Sequence, residues 1–246
     1  MFKFPKAPPG IPTVTREQMI EVDRLMVEDY GIDLIQMMEN AGRSLAVLAR
    51  EEFYRGNCRG KSAVILAGTG GNGGGALAAA RRLRNWGVTI RVVLAKPLDA
   101  YQGVPGEQVA ILQKMGVMLL DEPPKGADLI IDGLIGYGLQ GNPRGRVGEL
   151  IAWTNRQITP VLALDVPSGL DCTTGKVGDP CIRASATLTL ALPKTGLVTH
   201  TARPQVGELF LADISVPGSL YAAPKVDLSV GPIFGESDIL RLHAFN

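Results

Sequence analysis

The sequence predicts an α/β protein: a mostly parallel β-sheet with helices on both faces and two further helices ahead of it. Three observations lead there. Short apolar runs alternate with helical stretches through the middle of the chain, the pattern of a doubly wound sheet. The runs are apolar throughout rather than at every second position, as in strands covered on both faces. The first run passes directly into a glycine-rich turn and a helix, from Val64 to Leu77.

Taken in order, residues 1–13 are proline-rich and are expected to be loosely attached. Thr15 and Gln18 form a capping-box pattern that opens a helix with Met19, Val22, Leu25 and Met26 on one stripe, closed by Gly31. A second helix is expected from Leu34 to about Phe53, with Leu34, Met38, Ala41, Leu45 and Leu48 in period. The methionines of both helices read as packing. Strands are expected at Ala63–Ala67, Ile90–Ala95, Leu129–Asp132, Val161–Asp165, Ala186–Ala191 and Leu209–Ala212, with helices at about 74–86, 105–115 and 147–157. The last two strands follow short connections and read as an edge meander. The tail, residues 216–246, is rich in proline and glycine, with a short helical candidate near Ser237–Leu242. One domain accounts for residues 1–246, and no internal repeat is present.

Composition narrows the function. The chain has 246 residues, 46% hydrophobic, with a formal net charge of +1, enough for one sizeable core and too neutral for a nucleic-acid binder. Aromatic residues, at 5%, are too few for a stacking platform. Cys58, Cys172 and Cys181 form no Cys-x-x-Cys pair, and only His200 and His243 could join them, which argues against a structural zinc site and for reduced cysteines in the cytoplasm. His200 reads as a surface residue. The first ten residues lack the apolar core of a secretory signal, and no apolar run is long enough to span a membrane.

Ligands of open α/β sheets sit outside the carboxyl ends of the strands. Three such ends carry chemistry. Residues Gly68–Gly75 hold six glycines in eight positions, and Gly68, Gly70 and Gly73 fit the spacing of a dinucleotide-binding turn. A structural turn needs one or two glycines, so the surplus points to backbone meeting a ligand. The acid that fingerprint wants after the next strand is missing, since the strand ends in Lys96-Pro97. The second end is Asp132-Gly133-Leu134-Ile135-Gly136-Tyr137-Gly138-Leu139-Gln140-Gly141, and the third is Asp165-Val166-Pro167-Ser168-Gly169. Each could be a tight turn alone; their convergence on one sheet edge points to a shared site.

These residues resemble the NAD(P)H-hydrate epimerase family, also called the YjeF N-terminal domain. The resemblance rests on Met38-Glu39-Asn40-Ala41-Gly42, on the loop Gly71-Asn72-Gly73-Gly74-Gly75, on Asp132 with Gly136 and Gly141, on Asp165-Val166-Pro167-Ser168-Gly169, and on Leu192-Pro193-Lys194. It covers about residues 15–215 in unbroken order. It implies a Rossmann-like three-layer sandwich, usually homodimeric, that interconverts the R and S forms of hydrated NADH and NADPH, a repair reaction at carbon 6 of the nicotinamide ring. It implies a potassium ion held by Asn72, Asp132 and Ser168. It implies that Gly71, Asn72, Gly73, Gly74 and Gly75, then Gly136, Tyr137, Gly138, Leu139, Gln140, Gly141 and Asn142, and also Asp165, contact the substrate. A hydrate dehydratase is the functional partner it implies, often in the same chain.

Two positions depart from the family pattern: Gly71 stands for its first loop Asn and Gly75 for its loop Asp. Exchanging a hydroxyl at a hemiaminal-like carbon needs a proton donor and acceptor, each worth roughly 10²–10⁴-fold, and glycine is neither. The acid–base work then falls to Asp165, with Lys194 as a possible partner; a turn-capping Asp165 and a surface Lys194 are the plainer readings. The alternative to an active epimerase is an impaired relative that binds a nucleotide or a protein. An NAD-dependent dehydrogenase is disfavoured by the missing acid and the lack of a site histidine.

Overall fold

A computed structural model describes residues 4–139 and 141–242. Its centre is one eight-stranded sheet, ordered β3-β2-β1-β4-β5-β6-β7-β8. The strands are β1 (Ser62–Ala67), β2 (Thr89–Leu94), β3 (Met118–Leu120), β4 (Leu129–Gly133), β5 (Val161–Leu164), β6 (Ala186–Leu190), β7 (Glu208–Ala212) and β8 (Ile239–Arg241). All pairings from β3 through β7 are parallel, and β8 joins β7 antiparallel. The longer helices are α1 (Arg16–Arg24), α2 (Leu34–Leu48), α3 (Gly71–Asn85), α4 (Gly103–Lys114) and α5 (Gly145–Thr154), with a short α6 (Arg203–Val206) before β7.

Neighbouring residues of β1 feed opposite layers. Ile65 packs with Leu45, Leu77 and Leu112 of α2, α3 and α4, whereas Val64 and Leu66 pack with Leu150 and Ile151 of α5. Both faces are therefore covered, which is why β1 and β5 carry no polar alternation; in β6 the alternating Thr187 and Thr189 are buried as well. The expected three-layer α/β architecture is present.

The local signals for the first helices hold. Thr15 Oγ1 accepts from Gln18 N (3.2 Å) while Gln18 Oε1 accepts from Thr15 N (2.9 Å), the reciprocal capping box that starts α1. Each of the first two helices continues into a π-helical turn, Leu25–Asp29 after α1 and Ala49–Phe53 after α2. With that turn, the second helix reaches Phe53 as its periodicity indicates.

Four expectations need correction. The short strand β3 escapes the sequence pattern, because three residues are too few to show a period. Strands β6 and β7 are not an edge meander: they run parallel, joined by a crossover containing α6, and β7 lies inside the sheet. The helical candidate near Ser237–Leu242 is instead the edge strand β8, since Ile239 and Leu240 gain main-chain partners on Ala212 and Leu211 and bury their side chains. The N-terminal segment is tied down from Phe4 onward. Phe4 meets Phe210 edge-to-face at 5.8 Å, and the main chain exchanges hydrogen bonds with β8, Ala7 N to Arg241 O (2.9 Å) and Arg241 N to Pro5 O (2.8 Å). An apolar ring that can reach the core outweighs the freedom proline-rich segments otherwise keep.

Candidate active site

The carboxyl ends of β1, β4, β5 and β6 meet under α1 and α2 and enclose a cleft of about 420 Å³. That is within the range, roughly 300–1,000 Å³, of small-molecule sites. Asn72 and Gly71 enter it from the start of α3, Gly136, Tyr137 and Gly138 from the loop after β4, Asp165 from the end of β5, and Lys194 from the loop after β6.

Asp165 follows β5 directly, with φ +63°, a left-handed conformation that non-glycine residues hold only under constraint. The constraint is visible: its N–H donates to Leu188 O on β6 (2.7 Å), and its Oδ1 accepts from Leu190 N (3.2 Å) and Thr189 Oγ1 (3.3 Å). The same oxygen accepts from Lys194 Nζ. Lys194 is fully buried and also donates to Leu190 O (2.9 Å). The reading of Lys194 as a surface residue is thus overturned, because its ammonium has a carboxylate and a carbonyl to meet inside the fold. His200 is exposed, as expected.

Beneath the glycine turn lies a second carboxylate. Asp132, at the end of β4, is fully buried; its Oδ2 accepts from Ser168 N (2.8 Å) and its Oδ1 from Ser168 Oγ (2.7 Å) and Leu134 N (3.2 Å). Burial pushes its pKa up to about 6 against these three hydrogen bonds. Among the described residues no ion pair reaches it. Asn72 lies nearby, its Nδ2 donating to Leu164 O (2.6 Å) and its amide packed against Gly136. A buried carboxylate without counter-charge, beside a hydroxyl and an amide, is a donor set that fits a monovalent hard cation.

Other expected contacts turn away from the cleft. The helix α3 begins at Gly71, three residues before the expected start, so Gly73, Gly74 and Gly75 sit within its first turns, buried and outside the lining. A methyl group at Gly73 would collide with the Gly68 carbonyl, one at Gly74 with the Met38 thioether, and one at Gly75 would lie 2.8 Å from Leu164 Cδ2. Tight packing accounts for these three glycines. Leu139, Gly141 and Asn142 are not part of the lining either; Asn142 Oδ1 accepts from Asp179 N (3.2 Å). Gln140 lies outside the described residues.

Sequence reasoning missed Asp23. It projects from α1 into the cleft, and its Oδ2 accepts from the Tyr137 hydroxyl. Burial holds its carboxyl above the usual carboxylate range, against the opposing hydrogen bond from Tyr137 and the nearby charge of Lys194. The signal was present: an acid four residues after Met19 lies on the apolar stripe of α1, where a solvated charge has no reason to be. Met19, Met37 and Met38 pack as expected and also line the cleft.

Residues 34–196 match the family model described as YjeF-related protein N-terminus. The chain belongs to this family. It is similar to the NAD(P)H-hydrate epimerase of Dehalogenimonas lykanthroporepellens, 43% identical over 215 residues that cover 86% of this chain and 85% of that one. It is also 36% identical over 220 residues to the bifunctional NAD(P)H-hydrate repair enzyme Nnr of Moorella thermoacetica, covering 85% of this chain and 41% of that longer one. The crystal structure of the yeast protein ynu0, YNL200c, superposes with a TM-score of 0.78 at 26% identity, over 94% of this chain and all of that one. The Rossmann-like expectation stands on that likeness and on the sheet order.

Proposed function

We propose that the protein is an isomerase that interconverts the R and S forms of hydrated NADH and NADPH, a repair reaction on damaged nicotinamide nucleotides. The observation that carries this reading is the buried Asp165–Lys194 pair opening onto a cleft at the strand ends, in a chain so similar along its length to a named epimerase. The hydroxyl on carbon 6 leaves as water once a proton reaches its oxygen, with the lone pair of the ring nitrogen closing behind it. Water then adds to the other face of the ring and gives up a proton. Asp165 exchanges that proton; Lys194, which donates to its Oδ1, holds the carboxyl group in position.

The impaired-relative alternative drew its support from Gly75. Gly75 packs against Leu164 and does not line the cleft. The cleft keeps titratable groups without it, in Asp165, Lys194 and Asp23.

Asn72, Asp132 and Ser168 are the residues that would hold potassium. When bound, the ion would neutralise the buried Asp132 charge and draw the oxygen atoms beneath the glycine turn together. Two more elements of the reading rest on indirect support. Ile20, Val27, Tyr30, Leu34 and Ile35 are exposed large apolar side chains within residues 20–35, suited to a homodimer contact. The bifunctional relatives support a hydrate dehydratase as the functional partner. The three cysteines are free and buried, in keeping with a cytoplasmic setting. No helix among the described residues is long and apolar enough to cross a membrane.

The deciding experiment mixes purified protein with the R epimer of NADH hydrate in potassium buffer and follows conversion to S by chromatography. Conversion faster than the spontaneous rate is expected. No acceleration by a folded protein that still binds the dinucleotide would return the reading to a binding module.

A further inference from the structure

Epimerisation places a demand that one carboxylate does not meet. The two epimers carry the carbon 6 oxygen on opposite faces of the ring. Leaving from one face requires a proton donor there, and adding water to the other requires an acceptor there. In the reverse direction the two roles exchange. A ring fixed in a cleft therefore meets two proton-carrying groups, one for each face.

The cleft holds two carboxyl groups on separate elements. Asp165 stands at the end of β5 and is paired with Lys194. Asp23 stands on α1, and its hydrogen-bond partner is the Tyr137 hydroxyl. We propose that Asp23, supported by Tyr137, is the second catalytic residue, serving the face of the nicotinamide ring that Asp165 does not reach. This rests on the epimerase reading given above.

The surroundings divide the labour. Asp165 is already a hydrogen-bond acceptor, its Oδ1 taking bonds from Lys194 Nζ, Leu190 N and Thr189 Oγ1. Asp23 has no ion pair among the described residues, and burial favours its protonated form. A proton on Asp23 passes to the departing oxygen, the C–O bond breaks with its electron pair on that oxygen, and water leaves. The incoming water forms the new C–O bond on the opposite face and loses its proton to Asp165. One proton is given and one taken, so the net change is inversion at carbon 6. In the reverse direction Asp165 donates and Asp23 accepts.

Asp23→Asn tests this while keeping the shape of the side chain and an oxygen to accept from Tyr137. Interconversion of the epimers is expected to fall by roughly 10²–10⁴-fold with little change in KM. The discriminating readout is isotope exchange in ¹⁸O-enriched water, measured above the spontaneous rate. The variant should still exchange the hydroxyl oxygen of one epimer, through Asp165 on its own face, without producing the other. A Tyr137→Phe protein should show the same one-sided pattern with a smaller loss. Wild-type interconversion by a folded Asp23→Asn protein would overturn the proposal. So would loss of exchange in both epimers, which marks a structural role. A wild-type protein that accelerates nothing would instead sink the epimerase reading, and this proposal with it.

Discussion

Lys194 donates its ammonium proton to Asp165 in a pair withdrawn from water, the two side chains being 0% and 3% exposed. Neither charge has a solvent alternative, so each depends on the other. The loop bearing Lys194 is clipped to the N-terminal segment by two main-chain hydrogen bonds, Val14 N to Pro193 O (3.0 Å) and Thr195 N to Val14 O (2.9 Å). The pair thus couples the end of β5, the loop after β6 and the chain ahead of α1.

Breaking this pair should separate stability from chemistry. Asp165→Asn or Lys194→Met alone is expected to fold but to lose about 3–5 kcal/mol, because one buried charge is left uncompensated. The double variant Asp165→Asn/Lys194→Met should regain most of that loss, while both Asp165→Asn proteins remain inactive. Urea unfolding and the epimerisation assay measure the two quantities. An active Asp165→Asn enzyme would refute the assignment of Asp165.

Glycine substitutions should rank by what surrounds them rather than by their place in the turn. Gly71 faces open space, so Gly71→Asn, which restores the family residue, is expected to change stability by no more than about 0.5 kcal/mol. At Gly73 a methyl group strikes the main-chain carbonyl of Gly68, and Gly73→Ala should cost more than the roughly 1–3 kcal/mol typical of overpacking. Gly75→Asp puts a carboxylate against Leu164 and should destabilise without raising the rate. Thermal melts beside kcat would expose any rank out of order.

A cation at Asp132 would reveal itself without turnover. Potassium chloride should raise the melting temperature above that in choline chloride of equal ionic strength, equivalent to about 2.7 kcal/mol when the ion is at a hundred times its Kd. Asp132→Asn should abolish the difference. Equal melting in both salts would remove potassium from the account.

The raised pKa of Asp23 sets the sign of a pH effect. Its carboxyl, near Tyr137, Lys194, Asp165 and Tyr221, holds a proton more tightly in the folded chain than in the unfolded one. The stability it contributes is complete below the unfolded value and is lost as pH rises through the folded one. Asp23→Asn lacks that dependence. Its stability relative to wild type should therefore improve from pH 4.5 to pH 8 in urea titrations; a fixed difference across that range would contradict the shift.

Much of this was legible in the chain. Continuous apolar runs gave β1, β2, β4, β5, β6 and β7 within a residue or two, because strands covered on both faces leave no other pattern. The three-residue strands β3 and β8 did not announce themselves, and β8 exists only because β7 and Phe4 lie beside it. In the site, Asp165, Asn72 and Tyr137 stood out by their positions at strand ends, and Lys194 only through the family resemblance. Asp23 was missed, although its place on the apolar stripe of α1 marked it; its partner, the Tyr137 hydroxyl, comes from a distant loop that the sequence does not place beside it. Glycine was the most ambiguous signal: one that meets a ligand and one that meets a neighbouring helix are written with the same letter.

The match to the family model begins at residue 34 and ends at residue 196. Asp23, Met19 and Ile214 all line the cleft from outside those limits, and β7, which flanks β6, is also beyond them. The stretch that makes the protein recognisable is therefore smaller than the unit that must fold together. Cut back to that stretch, the polypeptide would keep its signature motifs yet lose one wall of its cleft, the clip on Lys194 and the neighbour that closes the sheet.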